Sequence, residues 1–184
     1  MVYVFLADGF EEIEALTPVD LLRRAGVETV TVGVTGKTVT GSHGITVEAD
    51  ITAAEAEKRR MGGASPEMIV LPGGMPGAKN LDESPAVENF IAAANEANAY
   101  IAAICAAPMI LGKRGLLQGR KAVCYPGFEP YLTGADMQDC SCVRDGRIIT
   151  GQAMGAAAEF ALTLVEALKG ERTAKELRAA ILYK

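Results

Sequence analysis

Tryptophan is absent from this 184-residue chain, aromatic residues make up only 5%, and there is a single histidine. Each scarcity removes a class of function. Few aromatics leave little with which to stack bases or sugar rings. The lone histidine, His43, sits in Gly41-Ser42-His43-Gly44, remote in sequence from any candidate nucleophile, so a Cys-His dyad of the peptidase or glutaminase kind is not expected. Basic residues are scattered and the net charge is −5, whereas nucleic-acid domains carry a basic stripe. The longest basic cluster, Lys58-Arg59-Arg60, follows Glu55 and Glu57 and reads as a solvated face. No nucleic-acid partner is expected.

Long uncharged spans and a charged-apolar-cleaved leader are also missing, which argues against a membrane partner or export. A cytoplasmic, reducing setting is the default expectation. Four cysteines, Cys105, Cys124, Cys140 and Cys142, do not make a disulfide framework in a chain of this length. Cys140-Ser141-Cys142 lacks the second close pair or nearby histidine that zinc requires. No P-loop occurs, and Gly73-Gly74-Met75-Pro76-Gly77 misses the dinucleotide glycine spacing. No metal or cofactor is expected.

What is present is a regular alternation of strand and helix signals without a linker or repeat, which predicts one α/β domain over residues 1–184. A chain of this size buries roughly 70% of the surface its unfolded form exposes. Val2 to Ala7 reads as a buried strand, followed by a helix from about Glu11 to Ala25 with Ile13, Leu16, Val19 and Leu22 near one face. Glu28 to Val34 is a second strand, and Lys37 to Val47 a small hairpin broken at Gly41 to Gly44. A helix around Ala53 to Met61 precedes an apolar strand, Met68 to Leu71, that stops at Pro72-Gly73-Gly74. Ser84 and Pro85 suit the cap and first turn of a helix reaching about Asn98. Lys121 to Tyr125 reads as a strand, Asp139 to Val143 with Arg147 to Thr150 as a hairpin, and Ala156 to Leu168 and Ala174 to Leu182 as closing helices.

The most informative stretch is Tyr100-Ile101-Ala102-Ala103-Ile104-Cys105-Ala106-Ala107-Pro108-Met109. An apolar strand runs into one cysteine, and small residues carry the chain into a helix, as around the serine of a nucleophile elbow. Amides after Cys105 would favour a thiolate and lower its pKa from about 8.5. The alternative is a buried strand-end cysteine serving as a small hydrophobe. Glu14 lies at the border of the inward face of the first helix, which starts past another strand end. It is either an exposed helix glutamate or a protonated partner whose hydrogen bond favours thiolate. Glu11 and Glu12 fit simple helix-dipole stabilisation. Gly73, Gly74 and Ala106 offer amides for an anion or oxyanion pocket.

Together these residues resemble the ThiJ/PfpI superfamily, in the branch of the Parkinson-disease-associated protein deglycase and its bacterial relatives. The likeness rests on Gly9-Phe10-Glu11-Glu12-Ile13-Glu14-Ala15, the Pro18 to Gly26 segment, Val70-Leu71-Pro72-Gly73-Gly74, Ala102 to Pro108, and Glu159 to Leu162 with Val165 to Leu168. It implies a flavodoxin-like three-layer sandwich, mostly parallel, with a small hairpin. It also implies a homodimer, an oxidation-sensitive Cys105 held by a protonated Glu14, and a pocket lined by the Gly74 and Ala106 amides. The implied activity is glutathione-independent conversion of methylglyoxal or glyoxal to the hydroxy acid, or deglycation. The alternative is a redox sensor or protective protein whose chemistry is oxidation of Cys105. Tyr125 stands where the family has a histidine near the cysteine, and lines the pocket by position. Arg24 matches one arginine of a family anion-binding pair near the dimer interface, and His43 replaces the other.

Overall fold

The computed structural model describes residues 1–184. In chain order, β1 (Val2–Leu6) is followed by α1 (Glu12–Arg24), β2 (Thr29–Gly33), β3 (Thr38–Thr40), β4 (Thr46–Glu48), β5 (Ile51–Thr52) and α2 (Ala53–Met61). Next come β6 (Met68–Leu71), α3 (Gly77–Asp82), α4 (Pro85–Glu96), β7 (Tyr100–Ile104) and α5 (Pro108–Lys113). The chain ends with β8 (Lys121–Ala122), β9 (Asp136–Met137), β10 (Cys142–Asp145), β11 (Ile148–Gly151), α6 (Ala157–Lys169) and α7 (Glu171–Ala180). Seven strands form one sheet in the order β10-β11-β7-β6-β1-β2-β5. All neighbours run parallel except β10 with β11.

The strands read as continuous apolar runs because both faces of a parallel sheet are covered. Alternate residues divide between two cores. Tyr3, Phe5, Ile69, Leu71, Ile101 and Ala103 pack under α2, α3, α4 and α5, with Phe90 edge-on to Tyr3 and Phe5 at 4.9 and 5.1 Å. Val4, Leu6, Val70, Ala102 and Ile104 pack under α1, α6 and α7. This is the expected flavodoxin-like sandwich. Ser84 caps α4 by accepting from the Val87 amide at 3.4 Å, and β3 pairs with β4 as the small hairpin.

Three expectations need correction. Ile13 is 48% exposed, because the buried stripe of α1 runs instead through Glu12, Glu14, Ala15, Pro18, Val19, Leu21 and Leu22. The strand expected over Lys121 to Tyr125 ends at Ala122 and pairs with β9 outside the main sheet. Beyond it the Val123 amide donates to Thr150 Oγ1 at 2.9 Å and the Tyr125 amide to the Cys105 carbonyl at 2.8 Å. These irregular bonds replace a ladder and lay the segment beside the ends of β7 and β11. Finally, the hairpin strand β10 begins at Cys142, so Cys140 lies outside it.

Candidate active site

β7, β6 and β1 are consecutive in the sheet, so their carboxyl ends deliver Cys105, Gly73 and the start of α1 side by side. That edge is where open α/β sheets bind ligands. Cys105 has φ of +66°, a conformation L side chains rarely adopt and one that stores strain at functional sites. Its amide is fixed by the Gly151 carbonyl and its carbonyl by the Tyr125 amide, at 2.9 and 2.8 Å. The strand-to-helix corner expected of a nucleophile elbow is therefore formed, with the thiol half-buried.

Glu14 is 1% exposed. Its Oε2 accepts from the Gly73 amide at 3.0 Å, its Oε1 is buried without a hydrogen-bond partner, and the Cys105 thiol interacts with the same carboxyl. Burial, the largest influence, pushes Glu14 up from 4.5 to about 7, against the Cys105 and Gly73 hydrogen bonds. Burial also dominates at Cys105, where the thiol rises to about 12, helped by the neighbouring Glu14 charge and opposed by the Gly74 and Ala106 amides. The lowered thiol pKa expected from the elbow is thus overturned for the isolated sulfur beside an ionised Glu14. Two acids this close titrate as a pair. A proton on the carboxyl removes the repelling charge and gives the sulfur a donor.

Gly73 sits between the two. A Cβ there would lie 2.6 Å from Cys105 Cβ and 2.6 Å from Glu14 Oε2, so only glycine lets thiol and carboxyl meet. Its amide serves Glu14 and is not free for a substrate, which corrects its assignment to the oxyanion pocket. Gly74, at φ +84°, would place a Cβ 2.3 Å from the Glu11 amide. Its amide and that of Ala106 point to the sulfur.

Gly74, Met75, Cys105, Ala106, Tyr125 and Phe128 line a cavity of about 180 Å3 over the thiol. Tyr125 is thus one of the residues around this pocket. Arg24 and His43 do not line this cavity of the single chain. Arg24 pairs with Asp20 at 2.6 Å, and His43 Nδ1 lies 3.0 Å from Glu12 Oε2 and 3.1 Å from Glu11 Oε2. The Glu12 bond is the main reason the His43 pKa is raised.

Glu12 is more than the helix-dipole residue its place in the first turn suggests, because its Oε1 accepts the His43 and Ile45 amides at 2.8 and 3.4 Å. Burial opposes its charge, yet the His43 bond and these amides hold its pKa below 4.5. It pins the β3–β4 hairpin to α1. Nothing local in the sequence signals this, because the partners are about thirty residues away. Met75 and Phe128 are likewise pocket residues that motif spacing could not reveal.

A flavodoxin-like sandwich with a strained cysteine at a strand end, paired with a buried helix carboxyl, defines a class of small cysteine-centred α/β proteins. The chain belongs to the DJ-1/PfpI family, whose model matches residues 1–167. It is 36% identical to the Parkinson disease protein 7 homolog of Danio rerio, over 98% of this chain and 96% of that protein. It is 30% identical to the glutathione-independent glyoxalase DJR-1.2 of Caenorhabditis elegans, over 95% of this chain and 91% of that protein. The structure of oxidized Toxoplasma gondii DJ-1 superposes with a TM-score of 0.92 at 37% identity, covering 99% of this chain and 97% of that one.

Proposed function

We propose that this protein is a cofactor-independent cysteine enzyme that converts reactive dicarbonyls such as methylglyoxal to the hydroxy acid. The observation that carries the reading is the buried Glu14 carboxyl held against the Cys105 thiol across Gly73. Such a pair can present a thiolate and a proton on adjacent atoms. The Cys105 sulfur adds to the aldehyde carbon, and Glu14 protonates the resulting oxyanion to give a hemithioacetal. Glu14, now a carboxylate, takes the proton from the former aldehyde carbon and returns it to the ketone carbon, while the hydroxyl proton passes from the first oxygen to the second, so that the aldehyde carbon is oxidised to a thioester and the ketone carbon reduced to an alcohol. Water cleaves the thioester and restores the thiol. In total, the dicarbonyl plus one water gives the hydroxy acid, and no external oxidant or reductant is needed. The Gly74 and Ala106 amides are positioned to share developing negative charge. A glyoxalase name on one relative supports this reading.

A cytoplasmic, reducing setting would keep Cys105 as a thiol between turnovers. No helix is long and apolar enough to cross a membrane. We also infer a homodimer, supported by the exposed apolar side chains of Ile13 on α1 and Ile45 in the hairpin that carries His43, at 48% and 55%. Arg24 and His43 would then approach the partner's site. A redox-sensing role draws support from the solved oxidized relative. Product analysis with methylglyoxal, without glutathione, tests the enzymatic reading: catalytic lactate release from the wild type and none from Cys105→Ser is the expected result. Absence of catalytic release would sink the enzymatic reading; a sensor would then take up at most one oxidant equivalent per oxidation step at Cys105, and an interaction module with an inert cysteine would alkylate slowly there.

A further inference from the structure

The cavity over Cys105 has no charged wall. It is bounded by Cys105, Gly74 and Ala106 together with Met75, Tyr125 and Phe128. Met75 and Tyr125 are about half exposed, at 50% and 47%, so they form a rim. Tyr125 and Phe128 meet edge to face at 6.4 Å, and Phe128 is backed by Tyr131 at 6.0 Å. The ladder is fixed by the Tyr125 amide bond to the Cys105 carbonyl. The nearest cation on it, Lys113, lies over Tyr131, the ring farthest along the ladder from the thiol.

Such a wall stabilises an apolar group and offers little to a hydrated one. The pocket opens to solvent past the half-exposed Met75 and Tyr125, and its volume of about 180 Å3 is many times the roughly 10–15 Å3 of such space that one water needs, so there is room over the thiol for more than a methyl substituent. Resting on the dicarbonyl reading, we infer that the favoured substrates are 2-oxoaldehydes bearing a ring-sized apolar substituent. The aldehyde meets Cys105 while the substituent lies between Met75 and the Tyr125–Phe128 edge. Phe128 is a specificity determinant that takes no part in the bond changes, which are those written above with one water consumed.

The test compares kcat/KM for glyoxal, methylglyoxal and phenylglyoxal, without glutathione, in the wild type, Phe128→Ala and Phe128→Leu. Each buried methylene-sized group is worth about fourfold, and a ring held between half-exposed walls buries the equivalent of roughly two of them. Phenylglyoxal should exceed methylglyoxal by about tenfold in the wild type, Phe128→Ala should remove most of that ratio, and Phe128→Leu should retain part of it. Alkylation of Cys105 by 2-bromoacetophenone against bromoacetone, each normalised to a free thiol, reads the same preference without turnover. Equal normalised alkylation rates in the wild type, or a ratio unchanged in Phe128→Ala, overturn the inference. Aryl-selective alkylation with no turnover of any aldehyde overturns the dicarbonyl reading and leaves an aryl-selective thiol pocket.

Discussion

Glu14 and Gly73 are the residues whose replacement separates a paired thiol from an ordinary one. Glu14→Gln removes the charge that raises the Cys105 pKa while keeping a hydrogen-bond donor. Its Cys105 should alkylate at least as fast as the wild type at pH 8, but lactate release should fall about 10²- to 10⁴-fold, the usual worth of a proton-transfer group. Glu14→Leu leaves burial without a donor, and should both alkylate more slowly than Glu14→Gln and lack turnover. Equal turnover in all three proteins would remove Glu14 from the mechanism. Gly73→Ala forces a Cβ against both reacting groups. It should cost about 1–3 kcal/mol in urea unfolding, as overpacking does, with a much larger proportional loss of turnover.

At the scale of elements, β6 places Gly73, β7 presents Cys105, and α1 turns Glu14 inward. The segment after β8 supplies the roof, and Thr150 on β11 is its anchor. Thr150 is fully buried, and its hydroxyl accepts from the Val123 amide at 2.9 Å. Thr150→Val keeps the shape but orphans that amide, at a cost of about 1–3 kcal/mol. Because the roof carries Tyr125, the same variant should raise KM for methylglyoxal more than it lowers kcat. An unchanged KM would mean that the segment is held by its other contacts.

For the whole molecule, the buried carboxyl makes stability depend on pH. Native Glu14 holds its proton up to about 7, whereas an unfolded glutamate releases it near 4.3. The folded pKa is raised, so the contribution is fully present below the unfolded value and is lost as pH rises through the folded one. With each tenfold change in proton affinity worth about 1.4 kcal/mol, the loss is on the order of 3 kcal/mol. Urea unfolding from pH 4.5 to 8 should show the wild type falling relative to Glu14→Gln by that amount, and parallel curves would contradict the raised pKa. Light scattering at micromolar concentration should give twice the 19.3 kDa chain mass. Ile13→Glu with Ile45→Glu should return it to the single-chain value if α1 and the hairpin form the dimer face.

The alternation of apolar strands with helices, the cap at Ser84 and the hairpin at Gly41 to Gly44 were readable in the sequence, because each is set by periodicity or by residues a few positions apart. Cys105 was readable as a candidate because it falls just past a strand end, and Glu14 because it rides the inward border of a helix that starts past another. Sequence order alone left open that β6 lies between β1 and β7, and with it the role of Gly73 as the gap through which thiol and carboxyl meet. For Cys105 the local signal points the wrong way. The elbow's local amides favour a thiolate, but burial and a charge from a helix ninety residues earlier outweigh them. Glu12, Met75 and Phe128 acquired their roles in the same way. Periodicity and turn chemistry act over a few residues and so are written in the sequence, whereas desolvation and charge pairing depend on what the folded sheet brings alongside.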